Sequence, residues 1–256
     1  MSAKGRHLGT RGSCPGSQNY PAEPDRPCTG SQNDPAEPDR LWPGGPRYLQ
    51  RPGVFPLSSD TGWLGAFVRL GGVKTACDLG CGGLALGLQL LGRRPSIRLC
   101  ALDILPEAVE AARENAALNG FSPEIVCGDL REAERHFRPG SFDLVVSNPP
   151  YYPRSGGIAP GARGAARQES CSPQELCRAA ARLLRERGRF ALVYPPERLS
   201  ELMTAMTAAG LEPKRLRLVH KDENSAPCAA LLEGLRGGGK GLAVLPPLLT
   251  SREEQG

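Results

Sequence analysis

Asn148-Pro149-Pro150-Tyr151 brings together, in four residues, the groups needed to handle a planar amine. The asparagine offers a side-chain carbonyl as acceptor. The first proline has no N–H but keeps a free backbone carbonyl. The tyrosine adds a flat face. A planar group bearing an exocyclic NH2 has two protons to give and a π-surface to stack, so it matches all three. The tetrapeptide follows Phe142-Asp143-Leu144-Val145-Val146-Ser147, a short apolar run that reads as a buried strand. It therefore sits at a strand's carboxyl end, where open parallel sheets hold their ligands. On these residues alone, a proline-rich turn capping the strand is the plainer alternative.

A second cluster lies upstream. Asp78-Leu79-Gly80-Cys81-Gly82-Gly83 follows the strand Thr75-Ala76-Cys77-Asp78 and opens a helix. Glycines there let the backbone turn sharply and approach a ligand closely. Asp103 ends the next strand roughly twenty residues on, where an acid grips ribose hydroxyls. Asp129 ends the third strand beside the same crevice. Three ordinary acidic loop residues would be the alternative. A nicotinamide dinucleotide needs Gly-x-Gly-x-x-Gly around its pyrophosphate, but Ala85 stands where the third glycine would fall. Asp78 would also repel phosphate. S-adenosylmethionine has no phosphate, and it carries a positive sulfonium and an α-amino group, so the acid favours it.

The elements that must position these clusters alternate along the chain. Thr61 to Leu70 has helical spacing, then come the strand from Thr75 and a helix over Leu84 to Leu91. Ile97 to Leu102 is a strand; Pro106 opens a helix that Gly120 closes, and Glu124 to Cys127 is a strand. Ser172-Pro173-Gln174-Glu175 is a capping box whose helix is expected to run to a stop at Gly188. Phe190 to Tyr194 is a strand, Pro196 to Ala209 a helix, and Leu216–His220 with Ala229–Glu233 a closing strand pair. This α/β alternation implies a mostly parallel sheet covered on both faces. The last two strands lack a helix between them, so one returns antiparallel.

Composition narrows the classes. Residues 1–45 are Pro- and Gly-rich, and the segment from Gly16 to Arg26 recurs from Gly30 to Arg40; such a tail cannot bury enough surface to offset its ordering entropy. The domain is expected over residues 46–256. No apolar run reaches the length of a membrane span. The three histidines lie far apart, which disfavours a His-based metal site. The nine cysteines form no Cys-x-x-Cys pair; Cys77, Cys81, Cys100 and Cys127 are expected as small buried hydrophobes in a reducing cytoplasm. The net charge of +5 permits a polyanionic partner without demanding one. Gly234 to Lys240 approaches a phosphate-binding loop, but Gly241 replaces its Ser or Thr and no helix follows.

Asp78-x-Gly80-x-Gly82, Asp103 and Asn148-Pro149-Pro150-Tyr151 together resemble the class I S-adenosylmethionine-dependent methyltransferases that modify exocyclic amines. The segments Gly53–Asp60, Phe190–Leu199 and Pro213–His220 resemble one branch, the bacterial tRNA(Val) adenine N6-methyltransferases. The resemblance implies a Rossmann-like, mostly parallel seven-stranded sheet with an antiparallel C-terminal strand, in a cytoplasmic monomer acting on tRNA. It implies S-adenosylmethionine bound by Asp78, Gly80, Gly82, Asp103, Asp129 and Asn148. Asn148, Pro149, Pro150 and Tyr151 would do the chemistry. Lys214, Arg215, Arg217, Lys221, Arg236 and Lys240 are candidates for the RNA backbone, or else the protective charges of a sheet edge. Two positions depart from the family pattern. Leu84 stands where glycine is usual, so its side chain either crowds the cofactor or re-registers the loop. Gln168 stands where the family often has histidine. Other amines (protein glutamine, ribosomal guanine) and a non-catalytic RNA-binding role are the competing readings.

Overall fold

In the computed structural model of the chain, residues 38–149 and 171–251 are described. Hydrophobic period and punctuation set the elements in chain order. They are β1 (Asp39–Arg40), β2 (Arg47–Tyr48), α1 (Ser59–Phe67), β3 (Thr75–Leu79), α2 (Ala85–Arg93), β4 (Arg98–Asp103), α3 (Pro106–Leu118) and β5 (Glu124–Cys127). After a 3-10 turn over Leu130–Arg135 come β6 (Phe142–Ser147), α4 (Pro173–Leu183), β7 (Leu184–Tyr194), α5 (Leu199–Ala208), β8 (Leu211–His220) and β9 (Pro227–Arg236). Two short strands, β10 (Ala243–Val244) and β11 (Leu248–Leu249), close the series.

The main sheet runs β10-β8-β9-β7-β6-β3-β4-β5, with β11 also on β8. Every pairing is parallel except those of β9, which lies antiparallel between β7 and β8. The expected seven long strands are all there, and the two short strands extend the sheet beyond β8. The chain winds outward from β3 through β4 to β5, then crosses to β6 on the other side of β3. That reversal opens a crevice at the carboxyl ends of the central strands. Each face of the sheet carries its own core. Ala76, Leu144 and Val146 pack with Leu64 of α1, Leu84, Leu88 of α2 and Val109 of α3. Cys77, Val145 and Phe190 pack with Leu176 and Leu183 of α4 and Leu202 and Met206 of α5.

Several expectations shift. The capping box at Ser172 forms as read, its Oγ accepting from Glu175 N at 3.2 Å. The helix it starts ends at Leu183 rather than near Gly188, because Leu184 is wholly buried and already pairs with Phe142. A register irregularity follows between Phe142 and Leu144, and Arg187 takes a left-handed φ of 62°. The helix expected from Pro196 begins as a 3-10 turn and becomes α-helical at Leu199. Cys77, Cys81 and Cys100 are buried as expected, but Cys127 is exposed at the end of the edge strand β5. Residues 38–45, expected within the tail, contribute β1 and a packed turn. Leu41 lies against the core, and the Trp42 ring sits so close to Gly45 and Gly92 that a methyl group on either would overlap it. Among the described residues no helix is long and apolar enough to cross a membrane.

Candidate active site

The loop after β3 is pinned to the strand beside it. Gly80 N and Cys81 N both donate to Leu102 O, at 2.8 and 3.1 Å. Gly80 and Gly82 take left-handed φ values of 72° and 51°, and the space beside each is open out to 4 Å. Glycine thus serves twice here, allowing the turn and leaving room that a side chain would fill. Asp103 closes the loop from β4: its Oδ2 accepts from Gly82 N at 2.8 Å and its Oδ1 from Leu105 N at 3.0 Å. Burial raises its pKa, and those backbone N–H groups pull the other way.

Asp78 is only 1% exposed. Its Oδ2 accepts from Gly87 N at 3.0 Å, in the first turn of α2. Burial pushes its pKa up to about 7; the Gly87 hydrogen bond opposes that shift and the Asp103 charge adds to it. The residue at the helix's own capping position is Leu84, which has no side chain able to accept. Asp78 satisfies a donor of that turn from outside the helix. Leu84 adopts φ 73°, and its side chain is fully buried in the core shared by α1, α2 and the sheet. The Leu84 side chain thus turns into the protein. Gly87 makes room for it, since a Cβ there would lie 2.7 Å from Leu84 Cδ1.

On the other side of β3, Ser147 Oγ donates to Leu79 O at 2.7 Å and ties the end of β6 to the end of β3. Asn148 follows at once, beside the glycine loop. Its Nδ2 donates to Thr61 Oγ1 at 3.0 Å. Thr61 is buried in the first turn of α1, and its carbonyl accepts from Gln89 Nε2 of α2 at 3.0 Å. Sequence reasoning missed Thr61 because nothing in its local pattern points to a residue 87 positions away. Pro149 lies next in line, whereas Pro150, Tyr151 and Gln168 fall outside the described residues.

Asp129 also stands at a strand's carboxyl end, but its carboxylate is engaged locally. It caps the following 3-10 turn by accepting from Arg131 N at 2.8 Å, and it pairs with the Arg131 guanidinium, Nε at 2.7 Å. That pairing is the main reason its pKa is lowered.

The six basic candidates do not form one patch. Because β8 runs parallel to β7, Lys221 lies at the same end of the sheet as Asn148. Arg236 and Lys240 lie at the opposite end, where β9 finishes. Lys214 donates to the carbonyls of Gly239 (3.0 Å) and Lys240 (3.4 Å), and Arg236 donates to Leu184 O. Arg215 sits in mid-sheet, 3.3 Å from the buried Glu233 carboxylate and stacked on Phe67 at 4.4 Å. Arg217 Nε is buried without a hydrogen-bond partner. A further cation at the Asn148 end is Arg198, which lies over the Tyr194 ring at 5.4 Å.

Residues 66–207 match the family model described as the methyltransferase small domain. A tRNA1(Val) (adenine(37)-N6)-methyltransferase of Porphyromonas gingivalis strain W83 is 36% identical over 170 residues, covering 64% of this chain and 66% of that protein. The match thus spans just under two thirds of that relative's length. The enzyme of the same name from Tolumonas auensis is 32% identical, covering 69% of this chain and 74% of its own. Among solved structures, one from Agrobacterium tumefaciens described as a predicted O-methyltransferase superposes with a TM-score of 0.59 at 20% identity, covering 75% of this chain and 88% of that one. That likeness speaks for the fold. With more than half of its length matched, the chain belongs to the methyltransferase small domain family.

Proposed function

We propose that this protein transfers a methyl group to the exocyclic N6 amine of an adenine in tRNA, as the names of its relatives describe for them, and that it works as a cytoplasmic monomer. The chain is a methyltransferase by family, and S-adenosylmethionine is its methyl donor. The residues present fit that donor. The open space beside Gly80 and Gly82 is a cradle that any Cβ would occupy. Asp78 and Asp103 supply acceptors suited to amino and hydroxyl groups, and the Asp78 carboxyl does not suit a pyrophosphate. Asp78, Gly80, Gly82 and Asp103 would hold the donor, with Asn148 at the edge of its site. Asp129, held by Arg131, would contribute less through its carboxylate.

When bound, S-adenosylmethionine supplies an electrophilic methyl whose bond to sulfur breaks as the amine nitrogen's lone pair forms the N–C bond, the electrons returning to sulfur. An adenine amine is a poor nucleophile because that lone pair is delocalised into the ring. Asn148 Oδ1 and the Pro149 carbonyl would accept its two protons, draw the nitrogen toward tetrahedral geometry and stabilise the positive charge that develops on it. Tyr151 would stack on the base, contributing about 1–3 kcal/mol. No general base is required beforehand, because the methylated amine is acidic enough to release its proton to water. An anticodon-loop base is already unpaired, so bringing it into the pocket costs little.

The observation that carries this reading is Asn148 at the end of β6, its amide nitrogen bound to Thr61, beside the Asp103-closed glycine loop. Leu84 was the feature that favoured a non-catalytic role, and its full burial in the core supports a packing role for it instead. The test is Asn148→Ala with unmodified tRNA and labelled donor. Donor affinity should hold while turnover falls about 10²–10³-fold, and in the wild type the label should map to an adenine N6. Near-normal turnover in the variant, or label only in protein or in guanine, would overturn it.

A further inference from the structure

We infer that the face of β7, β9 and β8 on which α1 packs carries a binding site for a phosphate group, built from Arg69, Arg189, Arg215 and Arg217 around Glu233. Side chains two apart on a strand share a face. Arg189 of β7, Glu233 of β9, and Arg215 and Arg217 of β8 alternate in step with Ala191, Val193, Leu231 and Val219, which belong to the core under α1. Arg215 stands directly across from Glu233, and Arg217, two residues on, faces Leu231. Arg69 reaches in from the turn after α1. Its guanidinium donates to Glu233 Oε1 at 2.6 Å, and those of Arg189 and Arg215 donate to Oε2 at 3.3 Å.

Four guanidinium groups thus share one carboxylate, and Glu233 can neutralise one of them. A guanidinium brings about five N–H donors, whereas a carboxylate offers about four acceptor sites. Burial makes the imbalance costly. The Arg189 and Arg215 side chains are each only 16% exposed, and Arg217 Nε is buried with no hydrogen-bond partner. Burial lowers the Arg215 pKa; Glu233 opposes that shift, and the Arg69 and Arg217 charges add to it. A lysine would relieve such strain by giving up its proton, but arginine keeps its charge at neutral pH. The relief must come from an anion. Phosphate suits the cluster because the planar fork of arginine meets it through two parallel N–H···O bonds, and a phosphomonoester carries about −1.5 to −2 charges. Arg69 is largely exposed, so the cluster opens to solvent on its side. Its other end approaches the carboxyl ends of the strands, since Leu231, which faces Arg217, also pairs with Val193 near the end of β7. Free phosphate and the backbone of an RNA both supply the group.

Two measurements on the full chain test the site, and neither depends on methyl transfer. The first is the Tm in sodium phosphate against sodium chloride at matched ionic strength. The second is filter binding of tRNA across a salt series. Both compare the wild type with Arg69→Ala, Arg217→Gln and, as a charge control, Arg98→Ala. Arg98 is exposed on β4, on the far side of β6 and β3 from the cluster. Phosphate should raise the wild-type Tm by about 2–4 °C beyond chloride. Arg69→Ala and Arg217→Gln should lose most of that increment, and Arg98→Ala should keep it. If the phosphate belongs to RNA, the two cluster variants should also reduce the slope of log affinity against log salt by about 1. Loss of the Tm increment with unchanged tRNA binding assigns the site to a free anion instead. Arg69→Ala removes a largely exposed side chain, so it decides the matter even should Arg217→Gln fold poorly. The site is overturned if neither measurement separates the cluster variants from wild type, or if Arg98→Ala loses as much as they do.

Discussion

Asp78 at the end of β3 accepts a hydrogen bond from Gly87 N, nine residues later and 3.0 Å away, so the strand's own acid caps the helix that it leads into. The carboxyl is buried, and in the ligand-free protein its pKa lies near 7 rather than the ordinary 3.8. One residue thus fixes the turn that shapes the glycine loop and stores an acid beside it.

A pH dependence follows. Between about pH 4 and 7 the folded chain keeps the Asp78 proton while the unfolded chain gives it up. The contribution of Asp78 to stability is therefore fully present below that window and is lost as pH rises through it, by on the order of 4 kcal/mol in all. Asp78→Asn should flatten this stretch of the ligand-free stability curve and weaken donor binding. Urea denaturation at pH 4.5 and 8 checks it (both values set by the roughly 4–7 window); an unchanged slope in the variant would remove Asp78 as the cause.

Leu84 and Gly87 form a coupled pair. Leu84→Gly would relieve a left-handed leucine, about 1 kcal/mol, but vacate a fully buried site, which costs about 3–5 kcal/mol. The net change should be destabilising by about 2–4 kcal/mol. Gly87→Ala alone should cost about 1–3 kcal/mol, because its methyl would meet Leu84 Cδ1 at 2.7 Å and Leu99 Cδ2 at 2.8 Å. Together the two changes should cost less than their sum, as a denaturation cycle will read. Strict additivity would mean that the side chains are not competing for one space.

Glu233 is buried to 1% and meets three guanidinium groups: Arg69 at 2.6 Å, and Arg189 and Arg215 at 3.3 Å. Glu233→Gln would leave three cations facing one another with no counter-charge. It should lower stability by about 3–5 kcal/mol. Arg69→Ala removes a largely exposed partner and leaves two, so it should cost about 1 kcal/mol or less. Comparable losses from both would contradict this account.

If RNA lies across the carboxyl ends of the strands, the charges at that end should govern its binding. Lys221→Ala should weaken tRNA affinity and reduce the slope of log affinity against log salt by about 1. Lys240→Ala, at the opposite end, should leave both unchanged. Filter binding across a salt series distinguishes the two positions, and the reverse ranking would put the RNA elsewhere.

Local pattern carried much of this protein. The alternation of short apolar runs with amphipathic stretches, the proline before α3 and the Ser172 capping box fix element type within a few residues, because each depends on neighbours in sequence. The glycine loop, Asp78, Asp103 and Asn148 were legible for the same reason: each sits at a strand end that the pattern marks. Burial and pairing across the fold were not. The inward turn of Leu84 depends on space that Gly87 leaves, and the extension of β7 back to Leu184 depends on β6 being there to pair. The basic residues of β8 and β9 look alike in sequence, yet the antiparallel return of β9 sends Arg236 to the far end while Lys221 stays near the site. Thr61 meets Asn148 across 87 positions of sequence, in a helix that Gln89 ties to α2. Sequence by itself determined which residues could do chemistry; the packing of separate segments decided which way they face and what holds them there.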